Sequence, residues 1–190
     1  GPASGKSTII RDGSVSLPEN AVLIDPDAIK TELPEYQTHI KDKSAAAFVH
    51  EESSFISKEI QARAGRERYN LIADGTGDNS IDKLASKVAK MREGGQRVEG
   101  HYVTVDTETA VSRARKSAEG TGREVPESVI RETHAGVSRV LPEAIKRGLF
   151  DDLTLWDTNG DRPLKVASAK RDKLTVHDQS AWDKFLAKGQ

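Results

Sequence analysis

Gly1-Pro2-Ala3-Ser4-Gly5-Lys6-Ser7-Thr8 is the stretch on which the fold turns. It supplies everything after the first glycine of a phosphate-binding loop, G-x-x-x-x-G-K-[ST]. Small residues let successive backbone N–H groups point into one concavity that holds phosphate oxygens. Lys6 is placed to neutralise the β- and γ-phosphates and the Ser7 hydroxyl to ligate Mg²⁺, while the following helix adds its positive end. Gly1, Pro2, Ala3, Ser4, Gly5, Lys6, Ser7 and Thr8 are therefore the candidate nucleotide-binding residues. A Gly-Lys-Ser-Thr run leading into apolar Ile9-Ile10 sets the segment apart from a chance Gly/Ser-rich terminus. Such a loop normally follows a buried β-strand. No residue precedes Gly1 here, so the expectation is an N-terminally incomplete domain whose first strand lies outside the sequence.

Outward from the loop, short apolar runs alternate with amphipathic stretches. Ala21–Ile24 reads as a strand ending at Asp25-Pro26-Asp27. The spacing of Phe48, Phe55/Ile56 and Ile60 suits a helix from about Asp42 to Ala64. A second strand, Tyr69–Ala73, ends at Asp74-Gly75-Thr76-Gly77. Asn79 or Ser80 caps the next helix, which carries Ile81, Leu84, Val88 and Met91 on one face until Gly94-Gly95. Val98–Val105 is a third strand and Asp106–Ala118 the helix after it, with a break at Gly120-Thr121-Gly122. Pro126, at a first helical position, starts a helix to about Val140. Leu153–Trp156 is a further strand closed by Asn159-Gly160. Pro163–Ser168 and Lys173–Val176 form a small β-rich C-terminal extension before a last helix, Ser180–Ala187. Strands separated by helices of this length imply an α/β fold, a parallel sheet with helices on both faces. Ligands of such sheets bind beyond the carboxyl ends of the strands. The loop, Asp25/Asp27 and Asp74/Thr76 are thus expected to line one crevice.

The 190 residues suit one domain, 1–190. The 29 basic and 30 acidic residues nearly cancel, so no global field points to nucleic acid or an anionic membrane as partner. With no cysteine, disulfides, thiolate nucleophiles and cysteine-ligated zinc are excluded, which fits a reducing, cytoplasmic setting. No apolar run approaches the roughly 18 residues of a membrane-spanning helix.

Three groups besides the loop can carry chemistry. Asp25 and Asp27 alternate along an extended segment, where a carboxylate near a γ-phosphate accepts a proton from an attacking hydroxyl or ligates Mg²⁺ through water; Asp27 also suits a helix cap. Asp74-Gly75-Thr76-Gly77 joins an acid and a hydroxyl to two permissive glycines, or is an ordinary strand-to-helix turn. Arg113, Arg115 and Arg123 bracket the glycine-broken segment and could close over phosphates, or form a solvated basic face. The histidines lack ligand spacing, and His134 reads as a packing or capping residue.

In this order and spacing the pieces resemble the zeta toxin family, relatives of small-molecule kinases within toxin–antitoxin systems. The resemblance rests on the loop, on Val22-Leu23-Ile24-Asp25-Pro26-Asp27 with Leu33-Pro34-Glu35-Tyr36, and on Tyr69 to Gly77. Gly122-Arg123-Glu124-Val125-Pro126, Leu141-Pro142 and Gly148-Leu149-Phe150-Asp151 complete it. It implies an ATP- or GTP-dependent, Mg²⁺-dependent kinase that phosphorylates a sugar hydroxyl of UDP-N-acetylglucosamine, with a protein antitoxin as possible partner. It also implies Lys6 and Ser7 in the phosphate and metal roles, Asp27 as general base, and Arg123 with Arg113 or Arg115 at the phosphates. Glu52 or Glu51 stands for a helix acid, and Asp74, Thr76 and Asp78 fall at substrate positions. One departure matters. Where the family reads Glu-Gly-Thr-Gly-Arg, this chain reads Asp74-Gly75-Thr76-Gly77-Asp78, so a substrate-holding arginine is replaced by a carboxylate. Repulsion would oppose an anionic sugar nucleotide there unless Lys83 or Lys87 reaches in. Other readings are a kinase of a nucleotide, cofactor, antibiotic or polynucleotide end, or a weakly active module fused within a larger protein.

Overall fold

The phosphate loop runs directly into a short helix, α1 (Lys6–Arg11), in a computed structural model that describes residues 1–38, 49–121 and 125–190. The following elements are β1 (Ala21–Ile24), α2 (Pro26–Glu32), α3 (Pro34–Thr38), α4 (His50–Arg66), β2 (Asn70–Ala73), α5 (Ile81–Glu93) and β3 (Glu99–Thr104). Then come α6 (Thr107–Thr121), α7 (Glu127–Lys146), β4 (Asp152–Asp157), β5 (Leu164–Lys170), β6 (Lys173–Val176) and α8 (Gln179–Ala187). The chain divides into two compact units. One comprises Gly1–Ser16, Thr76–Glu93 and Arg97–Gln190; the other comprises Leu17–Gly75 with Gly94–Gln96.

The first unit is built on a sheet of order β3-β4-β5-β6. β3 and β4 are parallel, in register from Glu99↔Asp152 to Thr104↔Asp157. β5 and β6 extend the sheet antiparallel. The C-terminal strands therefore complete this sheet instead of forming a small one of their own. The pairing shifts between Leu155 and Trp156, where Val166 is the extra residue on the β5 side. Leu153 and Leu155 pack with Leu84, Val88, Val137, Leu141 and Phe185 from α5, α7 and α8, whereas Trp156 joins Val103 against Ile9 and Val15. Helices thus meet both faces, as the alternation of apolar runs implies.

Several boundaries differ from those read in the sequence. α6 continues through Gly120 and Thr121 where a break was expected. Pro126 is the N-cap residue, in an extended conformation, and the first helical residue is Glu127. α7 passes through Pro142 to Lys146. Proline forfeits one helical hydrogen bond, but Leu141 and Ala144 beside it are completely buried, and that packing carries the helix onward. Ser80 is the cap of α5, its Oγ accepting from Lys83 N at 3.4 Å.

In the second unit β1 and β2 pair in parallel, Ala21↔Asn70 to Ile24↔Ala73, and α4 packs on α2, β1 and β2. Asp25 ends the strand, but Asp27 lies in the first turn of α2, not in an extended segment. Asp27 therefore lies past the N-cap position of α2. The buried face of α4 carries Ser53, Ser57, Ala64 and Gly65, and Phe55 is exposed, contrary to the apolar stripe read from the sequence. The start of that expected helix, residues 42–48, lies outside the described residues. Among the described residues no helix is long and apolar enough to cross a membrane.

Trp182 and Phe185 pack their rings 5.6 Å apart and bury both on the sheet. Trp182→Ala should cost about 3–5 kcal/mol, the usual range for deleting a buried aromatic, read as a lower urea midpoint.

Candidate functional site

Ser4 sits between two residues in the left-handed region, Ala3 at φ 53° and Gly5 at φ 87°. Its side chain is buried and its Oγ has no hydrogen-bond partner. The loop is held from below at two carbonyls. Thr158 Oγ1 donates to Ser4 O at 2.6 Å. His134 Nε2 lies 2.9 Å from Pro2 O, and since a carbonyl only accepts, the ring carries its proton on that nitrogen. The contacts leave no room for side chains. A Cβ on Gly1 would come within 2.3 Å of the His134 ring, and one on Gly5 within 3.0 Å of Thr158 Oγ1.

Thr158 follows β4, and its N–H bonds Thr104 O at the end of β3, at 3.0 Å. Arg113, from α6, donates to Thr158 O at 2.7 Å and to Thr158 Oγ1 at 3.3 Å. Arg115 turns elsewhere, paired with Glu127 at 3.0 Å and 74% exposed. Of the two candidate arginines, Arg113 is the one directed at the residue that holds the loop. From the C-terminal end, Lys188 Nζ donates to Thr104 Oγ1 and Val105 O, each at 2.6 Å. Burial lowers its pKa, opposed by nearby Asp106 and Asp157.

Thr76, Gly77 and Asp78 belong to the same unit. Gly77 has φ 90°, and a Cβ there would lie 2.6 Å from Val137 Cγ2. Asp78 accepts from Lys87 Nζ at 2.7 Å and is 17% exposed. Tyr102 is half-buried, and that burial raises its pKa with Asp78 adding to the rise. The Asp78 carboxylate is thus paired with a cation.

The strand-end acids lie in the other unit. Asp74 is exposed; its Oδ1 accepts from Gly75 N at 2.8 Å and its N–H bonds Ile24 O at 3.1 Å. Asp25 O accepts from Ile29 N at 3.1 Å. Glu52 is exposed in the first turn of α4, next to Glu51. Arg123 lies outside the described residues. No group of three or more His, Cys, Asp or Glu able to hold a metal occurs among the described residues.

His134, Thr158 and Lys188 were not singled out as functional in the sequence. Their partners stand 132, 154 and 84 residues away, beyond any local pattern. For Thr158 a signal existed, because it follows a strand at the edge where ligands bind.

Comparison with known proteins agrees with this architecture. The sequence model of the zeta toxin family matches residues 1–167. Toxin zeta of Streptococcus agalactiae is 25% identical over 171 residues, 84% of this chain and 58% of that protein. The chain therefore spans under two thirds of this curated relative. The AvrRxo1-ORF1:-ORF2 complex solved with ATP has a TM-score of 0.74 at 18% identity, over 100% of this chain and 62% of that one. A structure of the PezAT chromosomal toxin–antitoxin system of Streptococcus pneumoniae gives 0.70 at 16% identity, over 98% and 79%. At these identities the structural likeness is one of fold.

Burial pushes the His134 imidazole down to about 4, against the pull of the Pro2 carbonyl. The unfolded chain then binds a proton that the folded one does not, over the window from about 6.5 to about 4. Stability should be unaffected by this group above that window and fall as pH drops through it, by about 3 kcal/mol at the low end. Urea unfolding of wild type and His134→Phe across pH 4–7 checks this; the variant should show a shallower fall.

Proposed function

Because the chain belongs to the zeta toxin family, we propose that it is a nucleotide-dependent kinase with toxin-like action, transferring a γ-phosphoryl group to a hydroxyl of a small molecule. The observation that carries the reading is the loop itself: left-handed residues on either side of a buried Ser4 hydroxyl that lacks a partner. A ligand oxygen would satisfy that hydroxyl, so the residues present fit a triphosphate. Lys6 would sit at the β- and γ-phosphates and Ser7, exposed at the loop's end, would hold Mg²⁺. The bound Mg²⁺–nucleotide, ATP or GTP, supplies the phosphoryl group and much of its charge neutralisation. Asp27 is the proposed acceptor of the proton from the attacking hydroxyl, with Arg113 and Arg123 stabilising charge on the transferring group. Asp74, Thr76 and Glu52 are proposed on the acceptor side. The reading places its action in a cytoplasm that supplies the nucleotide. The partner named for the AvrRxo1 complex and for PezAT supports a protein antitoxin here.

The acceptor is proposed to be a sugar hydroxyl of UDP-N-acetylglucosamine or a related metabolite. A second reading, a different hydroxylated acceptor, is favoured by Asp78 in place of the family's arginine. The pairing with Lys87 narrows the difference, since the ammonium offsets the charge of the carboxylate. Turnover with UDP-N-acetylglucosamine should therefore be measurable, and Asp78→Arg, which sets two cations together, should not improve it. A marked gain in Asp78→Arg would favour the second reading.

Lys6→Ala should abolish phosphoryl transfer in a folded protein, measured as nucleotide-dependent labelling across sugar nucleotides, nucleotides and cofactors; unchanged turnover would end the kinase reading. Asp27→Asn should lower turnover by about 10²–10⁴-fold with nucleotide affinity little changed. Equal rates would shift the general-base role to Asp25 or Asp74.

A further inference from the structure

We propose that His134 and Thr158 are positioning residues that preset the phosphate loop by turning two of its carbonyls away from the ligand side. The inference rests on the kinase reading and adds residues that the loop motif does not contain. A trans peptide is planar, so the C=O of one residue and the N–H of the next point in opposite directions. Capture of Pro2 O by His134 therefore sends the Ala3 N–H to the opposite side of the loop. Capture of Ser4 O by Thr158 does the same for the Gly5 N–H. Each donor thus points away from its supporting side chain, in a stretch that the left-handed residues Ala3 and Gly5 curve into a nest.

Thr158 has a single hydroxyl proton, and its surroundings decide where that proton goes. Arg113 can only donate, so Thr158 Oγ1 accepts from it and must donate elsewhere. Thr104 O is 3.4 Å away and already receives the Thr158 N–H. Ser4 O, at 2.6 Å, is the remaining acceptor and takes the proton. Arg113 thereby acts on the loop through Thr158. Sterics point the same way: Gly1 lies over the His134 ring and Gly5 over Thr158, each so close that a Cβ would collide or crowd. The loop rests on these two side chains, and both supports are buried.

The test uses inorganic tripolyphosphate, which presents phosphates without a base, and Mg²⁺-ATP, both titrated into the full chain by calorimetry. Thr158→Val, which keeps shape and loses the hydroxyl, and His134→Phe, which keeps a ring and loses the donor, should each bind tripolyphosphate about tenfold more weakly than wild type. Thr158→Ser should recover most of that loss. At saturating tripolyphosphate the Ala3 and Gly5 amide resonances should move in wild type, the Ala3 shift should shrink selectively in His134→Phe and the Gly5 shift in Thr158→Val, a pairing that a merely structural role for the two side chains would not produce. Folded Thr158→Val and His134→Phe proteins binding as wild type does would overturn the inference. So would immobile Ala3 and Gly5 amides in wild type that binds, and this decides the matter if a variant fails to fold. Wild type binding neither tripolyphosphate nor Mg²⁺-ATP would instead overturn the kinase reading, and this inference with it.

Discussion

The hydrogen bond from the Thr158 hydroxyl to the Ser4 carbonyl, 2.6 Å long, ties the start of the chain to the end of β4. Around it the rest of the first unit is arranged. β3 and β4 must be parallel and in register for Thr158 N–H to meet Thr104 O. α6 must follow β3 closely for Arg113 to reach back to Thr158. Side chains alternate along β4, so Trp156 points away from Leu155 to the face on which α1 packs, and the helix after the loop is held by the same strand whose end holds the loop.

This arrangement concentrates polar groups in a buried place, which is tolerable only when they are paired. A typical internal hydrogen bond contributes about 1 kcal/mol net, whereas an orphaned buried partner costs about 1–3 kcal/mol. Thr158, Arg113 and His134 all have partners, whereas the buried Ser4 Oγ does not. The contrast carries meaning. Groups that shape the loop are satisfied by the protein, and the one left open lies where a ligand would supply the missing bond.

The strand ends were legible from the sequence because apolar runs stopped at Asp25, Asp74 and Asp106, and the loop because Gly-Lys-Ser-Thr has a local chemical meaning. Helix ends were less legible. Pro142 reads as a stop, but Leu141 and Ala144 are buried so completely that α7 continues past it. Phe55 reads as core but is exposed, since α4 buries serines, alanine and glycine on the face that approaches its neighbours. Asp27 reads as extended because proline precedes it, yet proline at a first helical position starts α2 there. The supports of the loop were invisible for a different reason: contacts spanning more than a hundred residues leave no periodicity, and only tertiary structure brings His134 and Thr158 beneath Pro2 and Ser4.

The C-terminal segment shows how core and site are coupled. The family match ends at residue 167, yet α8 lies beyond it and contributes Trp182 and Phe185 to the main core. The same helix ends at Lys188, whose ammonium bonds Thr104 Oγ1 and Val105 O where β3 stops. A cation buried there needs acceptors, and the strand-end oxygens with nearby Asp106 and Asp157 provide them. Burial is the main reason that the His134 ring stays neutral beside Pro2 O, and the Lys188 charge adds to it. Docking of this amphipathic helix through Trp182 and Phe185 therefore also brings a cation to the end of β3, within the field felt by His134.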